Sequence, residues 1–194
     1  MKIKCQQYLK LAKKDEVFMS EILKSIYDSI VDSKDSIVLP YQNNDEIIYW
    51  IPILNNDSDT KNVGISQYGE WVINGRNRFI IINNYKSYLF CLPLLETPIE
   101  KLINNLNNFF NTLFITYDIF NIFPFVEIIK FALEYEKNDY WLNLAFNWYD
   151  KLENSKKIEF KSYLENIKNN KYISQKFRHK AVKEIKRIRE YSNE

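Results

Sequence analysis

The chain has 194 residues, of which 46% are apolar and 16% aromatic, so it is long enough to bury the core of one domain or two small ones. Three glycines and two cysteines exclude collagen-like chains, disulfide scaffolds and four-cysteine zinc sites, and a single histidine, His179, excludes a multi-histidine metal centre. The net charge is +2. We therefore expect no metal, no other cofactor, and a protein that binds a partner rather than an enzyme.

The N-terminal lysines are not followed by the apolar run of a signal peptide. The most apolar stretch, residues 114–133, is interrupted by charged residues and by Pro124, which does not fit a membrane span. Cys5 and Cys91 are then expected to be reduced thiols. We expect a cytoplasmic protein that does not enter a membrane.

The first third of the chain predicts helices and then a strand. Apolar residues recur with helical spacing over 16–31, with Asp15 as the expected N-cap, and a shorter helix is expected over 2–12. Residues 47–54 are β-rich and predict a strand, which Pro52 would place at a sheet edge or divide into two pieces.

Residues 63–92 predict a three-stranded antiparallel meander. Asn74 and Gly75 lie between two β-rich runs, a pattern typical of a type I′ hairpin turn. An Asn-Asn pair at 83–84 would form a second turn into a strand over 85–92. We expect a small antiparallel sheet of three to five strands.

The rest of the chain is helical in pattern. Thr97, Pro98 and Glu100 have the spacing of a capping box and predict a helix to about residue 115. The short connections after Pro124 favour antiparallel neighbours, and hence two stacked helical hairpins. The four helices that would form them span about 125–136, 139–152, 156–169 and 174–190.

These elements together predict an α+β fold: N-terminal helices, a small antiparallel β-meander, and a C-terminal helical part. We place an α+β part with the sheet at 1–120 and the helical part at 121–194. One continuous core across this boundary is the alternative.

Few residues in the chain suit catalysis. A nucleophilic enzyme would have to pair Cys91 with His179, yet Cys91 lies in an apolar run typical of an inert buried thiol. No glycine opens a helix in a phosphate loop, and no serine lies in a nucleophile elbow. An enzyme is therefore the third hypothesis, behind two kinds of binding protein.

The charges are distributed unevenly. Residues 28–59 contain seven acids and one lysine, and they surround a strand with Tyr49 and Trp50. Acidic charge beside an aromatic anchor is typical of a surface that binds a cationic protein, although solubilising loops would have the same composition. The predicted partner-binding residues are Asp45, Glu46, Tyr49, Trp50, Asp57 and Asp59.

The C-terminal segment is basic, since residues 171–190 contain eight Lys or Arg and two Glu. This charge indicates nucleic-acid binding as an alternative function. An apolar stripe along the same segment equally fits a terminal helix that caps a helical stack and exposes its cations to water. The residues that would contact nucleic acid are Lys176, Lys180, Lys183 and Arg187.

Two runs carry a resemblance to a known family. Asp139-Tyr-Trp-Leu-Asn-Leu-Ala-Phe-Asn-Trp148 and Ile173-Ser-Gln-Lys-Phe-Arg-His-Lys-Ala181 resemble the HEAT-like helical tail of immunity proteins that bacteria encode beside polymorphic or contact-dependent toxins. The resemblance covers residues 125–190. It implies a non-enzymatic cytosolic protein that occludes one toxin domain, and it carries over no catalytic residue. If that toxin is a cationic nuclease, an acidic inhibitor would compete with its polyanionic substrate.

Overall fold

The computed structural model describes seven stretches of the chain: 19–32, 37–43, 46–55, 62–75, 78–113, 118–135 and 139–191. The helix predicted over 2–12, its neighbour Asp15 and the thiol Cys5 lie outside the described residues. Within them, no helix is long and apolar enough to cross a membrane.

The chain divides into two compact units, and the backbone passes between them three times. The sheet unit comprises Met1–Ser87 and Asn105–Phe123, and the helical unit comprises Tyr88–Asn104 and Pro124–Glu194. The sequence suggested one division near residue 120, whereas here Tyr88–Asn104 separates the two parts of the sheet unit.

The sheet unit contains a five-stranded antiparallel meander in which each strand pairs with the next along the chain. The strands are β1 (Leu39–Asn43), β2 (Glu46–Asn55), β3 (Asn62–Ser66), β4 (Trp71–Gly75) and β5 (Arg78–Ile81). The N-terminal helix α1 spans residues 19–32 and buries its apolar stripe, including Leu23, Ile26 and Ile30. These elements confirm the predicted α+β class.

The position of β2 corrects the predicted edge strand. β2 is an interior strand, because it pairs with β1 on one side and with β3 on the other. Pro52 is tolerated because the pairing with β1 ends at Trp50, so the missing N–H removes no bond to β1. The register with β3 shifts between Pro52 and Leu54, which is a β-bulge.

The β4–β5 hairpin forms as predicted, but its turn does not lie at Asn74-Gly75. Asn74 pairs with Phe79 and Gly75 with Arg78, so both residues of the predicted turn lie in β4; residues 76–77 lie outside the described residues. Of the described glycines, only Gly69 has a positive φ, 73°. The observed register places Val72 opposite Ile81, whereas a turn at Asn74-Gly75 would have opposed Val72 to a polar residue.

The strand predicted over 85–92 is wrong, because Tyr85–Glu96 forms a 3₁₀ helix. Asn84 starts this helix through local hydrogen bonds: its carbonyl accepts the Ser87 hydroxyl at 2.6 Å and the Ser87 N–H at 3.0 Å. Such bonds compete with a sheet ladder for the same backbone. The period-two pattern predicted a strand here, but the local hydrogen bonds to the Asn84 carbonyl start a 3₁₀ helix instead.

Helix α2 (Ile99–Thr112) begins where it was predicted, without the capping box. The Thr97 N–H donates to the Leu94 carbonyl at 3.0 Å. The Glu100 carboxylate contacts Lys151 Nζ at 2.6 Å instead of turning back to Thr97. A short helix α3 (Ile119–Ile122) follows in the sheet unit.

The helical unit confirms the two stacked hairpins, because α4 packs on α5, α7 packs on α8, and α4 also contacts α7. The third predicted helix is divided by a 3₁₀ turn, Ile158–Phe160, into α6 and α7. The helices are α4 (Phe125–Glu134), α5 (Asp139–Asp150), α6 (Asn154–Lys157), α7 (Lys161–Asn169) and α8 (Gln175–Tyr191). Phe146 of α5 and Phe177 of α8 stack with ring centroids 5.7 Å apart.

Candidate protein-binding surface

The exposed end of β2 contributes the first part of a candidate surface. Side chains alternate between the two faces of a strand. Ile47 and Tyr49 lie on one face and are 45% and 44% exposed, whereas Ile48 and Trp50 lie on the other and are 2% and 1% exposed. The predicted anchor Trp50 therefore belongs to the core, and its ring is not available to a partner.

Trp50 is buried because β3 has a glycine where the indole lies. A Cβ on Gly64 would overlap the Ile51 carbonyl and come within 2.7 Å of Trp50 Cε3. On its other side, the indole makes an edge-to-face contact with Phe79 at 5.7 Å, and Phe79 stacks on Tyr41 at 4.3 Å. This packing on the buried face fixes the position of β2, the strand whose other face carries the exposed Tyr49.

Tyr68, in the turn after β3, contributes the second part of the surface and is 44% exposed. Its hydroxyl donates a hydrogen bond to the Glu46 carboxylate. The Gln67 N–H donates to the Tyr49 carbonyl at 2.8 Å, and the Gln67 side-chain oxygen accepts the Tyr49 N–H at 3.3 Å. These bonds join the turn to the exposed end of β2. We use the name Tyr49–Tyr68 surface for the exposed residues of these two neighbouring segments: Glu46, Ile47, Tyr49 and Tyr68.

The turn that carries Tyr68 is fixed by α1 and by a buried serine. Ser66 Oγ accepts the N–H groups of Tyr68 and Glu70, each at 3.3 Å. Ser20 Oγ of α1 donates to the Tyr68 carbonyl at 3.2 Å. Gly69 has the positive φ that favours glycine, and a Cβ there would overlap the Ser20 carbonyl. The turn that carries the exposed Tyr68 is thus fixed by hydrogen bonds and by close packing against α1.

The electrostatics of the surface centre on the pair of Tyr68 and Glu46. The hydrogen bond to the Glu46 carboxylate raises the pKa of the Tyr68 hydroxyl above its ordinary value. Nearby, burial raises the pKa of Glu70, and burial likewise raises the pKa of Tyr27. The surface therefore combines a carboxyl group, two phenol rings and an aliphatic side chain, a composition suited to an Arg or Lys of a partner.

Of the six predicted partner-binding residues, the structure brings together Glu46 and Tyr49 and places Trp50 in the core. Asp45, Asp57 and Asp59 lie outside the described residues. The sequence analysis missed Ile47 and Tyr68. Ile47 was recoverable from the period-two pattern, since it shares a strand face with Tyr49. Tyr68 was not, because its place depends on long-range pairing of β2 with β3.

The basic stripe of α8 is the second candidate surface. Its four predicted residues recur at i, i+4, i+7 and i+11 and so share one helix face: Lys176, Lys180, Lys183 and Arg187. Lys180 Nζ contacts the Asp150 carboxylate at 2.7 Å, and Arg187 pairs with the buried Glu184. Two of the four cations are therefore already paired with acidic side chains of the same chain.

The thiol and the imidazole do not offer a catalytic pair. Cys91 is fully buried, and burial strongly raises the pKa of its thiol, so it stays protonated and is a poor nucleophile at neutral pH. His179 is exposed, with its ring nitrogen 3.5 Å from the Gln175 amide. Among the described residues, no group of three or more His, Cys, Asp or Glu could hold a metal ion.

The fold and the two surfaces define an α+β protein with a five-stranded meander and a helical C-terminal region. Comparison of the chain with protein-family models, curated proteins and solved structures found no match. The geometry of its surfaces and the pattern of its charges are therefore the grounds for a function.

Proposed function

We propose that this chain is a non-enzymatic protein-binding module of the bacterial cytoplasm, an immunity protein that binds and neutralises a cognate toxin domain. The observation that carries the proposal is the Tyr49–Tyr68 surface. Exposed tyrosines are enriched among residues that dominate binding energy. Here Tyr49 and Tyr68 are each 44% exposed, and Tyr68 donates to the Glu46 carboxylate; the strand and turn that carry them are held by hydrogen bonds, which limits the conformational entropy lost on binding.

The proposed partner is cationic. Glu46 and the phenol rings can receive an Arg or Lys, and Asp28 and Asp32 of α1 are exposed acids of the same segment. Asp28 is paired with Lys24 at 2.7 Å, so part of this charge is compensated. A nuclease domain that must approach a polyanion is the toxin class with this charge, and an acidic inhibitor would compete with its substrate.

The test is co-expression with the toxin encoded beside this gene. We expect the chain to restore growth to cells that express the toxin domain and to co-purify with it at a defined stoichiometry. Failure of both rescue and co-purification would contradict the proposal. Rescue without co-purification would also contradict it, because a non-enzymatic inhibitor has to form a complex.

Nucleic-acid binding through α8 is the second candidate, supported by the shared face of its four cations. Lys176 and Lys183 are exposed and make no ion pair with another described residue, so they are the residues to change. If the stripe binds a polyanion, replacing both with Gln should flatten the salt dependence of binding to a fluorescent RNA by about two phosphate contacts. Negligible affinity of the wild-type chain at low salt would eliminate this candidate.

A further inference from the structure

Helix α1 contains a lysine whose ammonium group lies between a carboxylate and an aromatic ring of the same helix. Lys24 Nζ is 2.7 Å from the Asp28 carboxylate and 5.3 Å from the centre of the Tyr27 ring. Carboxylates and aromatic faces both attract cations. Asp28 and the Tyr27 ring therefore form a cation site, which we call the α1 receptor, and in this structure Lys24 fills it.

The α1 receptor adjoins the Tyr49–Tyr68 surface. A Cβ on Gly69, in the turn after β3, would lie only 2.9 Å from Lys24 Cβ, so α1 packs closely against that turn at the lysine. Burial raises the pKa of Tyr27, and the neighbouring Tyr49 raises it further, which indicates that the two phenols are near each other. A partner that covers the Tyr49–Tyr68 surface therefore also meets Lys24.

The contact that Lys24 makes with the α1 receptor is easily exchanged. The side chains of Lys24 and Asp28 are 46% and 55% exposed. Exposed ion pairs four residues apart on a helix are weak, because water screens them and two long side chains must be ordered. An arginine from a partner would hold the same carboxylate with two parallel hydrogen bonds, whereas a lysine offers only a point charge. Such an arginine can therefore displace Lys24.

We propose that an arginine of the cationic partner binds Asp28 and the Tyr27 ring in place of Lys24, which makes Lys24 a built-in competitor for the α1 receptor. The competition costs little to a partner whose arginine binds the carboxylate with two hydrogen bonds. It disfavours cations that bind only as a point charge, so Lys24 determines which partners the surface accepts. This inference rests on the proposed function for the identity of the partner.

The first test measures the affinity of the purified toxin domain for three variants. Lys24→Met keeps the aliphatic length of the side chain and removes the competing ammonium, so the toxin should bind about threefold more tightly than it binds the wild type. Asp28→Asn removes the carboxylate and should weaken binding about threefold or more. Lys86→Met is the control, because Lys86 is exposed and forms no ion pair with another described residue. It removes the same charge without freeing a carboxylate and should leave the affinity unchanged.

The second test needs no toxin. Titration with N-acetyl-arginine amide should shift the NMR signal of the Asp28 carboxyl carbon, with a dissociation constant about threefold lower in Lys24→Met than in the wild type. A toxin domain that binds no variant, while the arginine probe shifts Asp28 as expected, would contradict the proposed function alone. Equal toxin affinities of wild type and Lys24→Met, equal gains in Lys24→Met and Lys86→Met, or an Asp28 signal that does not respond to the probe would overturn this inference.

Discussion

Adjacent residues of β2 have opposite roles in this protein. Trp50 is 1% exposed and packs across Gly64, whereas Tyr49 is 44% exposed on the other face. The sequence grouped the two as one aromatic anchor because they are neighbours in an acidic segment. The strand separates them, since successive side chains point to opposite faces. The indole therefore stabilises the sheet, and the phenol is left partly exposed to solvent.

The fit of Trp50 against Gly64 predicts a costly substitution. Gly64→Ala should lower the free energy of unfolding by about 1–3 kcal/mol, because the added methyl group overlaps backbone and indole that cannot both move. Urea unfolding followed by circular dichroism measures the change. Gly75→Ala is the control, since Gly75 lies in a strand without a positive φ, and it should leave stability within about 0.5 kcal/mol. Equal effects of the two substitutions would contradict this account of Trp50.

The bond between Tyr68 and Glu46 predicts a pH dependence. The folded-state pKa of Tyr68 is raised above the unfolded value of about 10, so its contribution to stability is present below that pH and is lost as the pH rises through the folded-state pKa. In Glu46→Gln the carboxylate charge is absent, so the pKa of Tyr68 should fall toward its ordinary value. An NMR titration of labelled tyrosine rings measures this. An unchanged pKa of Tyr68 in Glu46→Gln would contradict the contact.

At the scale of elements, helix α8 carries a buried acidic residue, Glu184, on its otherwise apolar face. Glu184 lies on the buried face with 4% exposure, between Ala181 and Ile188, and pairs with Arg187 one turn later. A buried carboxylate that loses its cation is destabilising. Arg187 thus supports the helix, in addition to its position in the basic stripe.

Arg187→Gln should therefore lower the free energy of unfolding by about 1–2 kcal/mol. We expect less than the loss of a wholly buried pair costs, because the Arg187 side chain is 58% exposed and partly screened by water. Lys183→Gln is the matched control, exposed on the same helix face, and should have no measurable effect. Thermal unfolding of both variants measures the difference, and a similar loss in each would show that Glu184 does not depend on Arg187.

The elements of this fold differ in how well they could be predicted from the sequence. The helices over 125–190 were predictable because their periodicity is local and their connections are short. The turn at Asn74-Gly75 and the strand over 85–92 were not, because strand register depends on distant partners and Asn84 bends the chain through its own bonds. At the candidate surface, Glu46 and Tyr49 were predictable from charge and aromatic character, whereas Tyr68 required the β2–β3 pairing.

For the whole molecule, the net charge of +2 conceals two opposite segments. The acidic segment 28–59 belongs to the sheet unit and the basic segment 171–190 to the helical unit. Much of the described basic charge is paired with acids of the helical unit, for example Lys180 with Asp150. The Glu46 carboxyl group instead accepts a hydrogen bond from the Tyr68 phenol, and no cation of the described residues forms an ion pair with it. This difference favours the sheet unit as the surface for a charged partner.

The affinity of the purified neighbouring toxin domain for this chain tests the central claim most directly. The account predicts tight binding by the wild type and a loss of about 30-fold or more in Tyr49→Ala and in Tyr68→Ala, since truncation of a hot-spot residue costs about 2 kcal/mol or more. Tyr172→Ala, which removes a tyrosine that is 98% exposed elsewhere, should bind as the wild type does. Unchanged affinity in Tyr49→Ala and Tyr68→Ala, or equal losses in all three variants, would contradict the Tyr49–Tyr68 surface as the binding site.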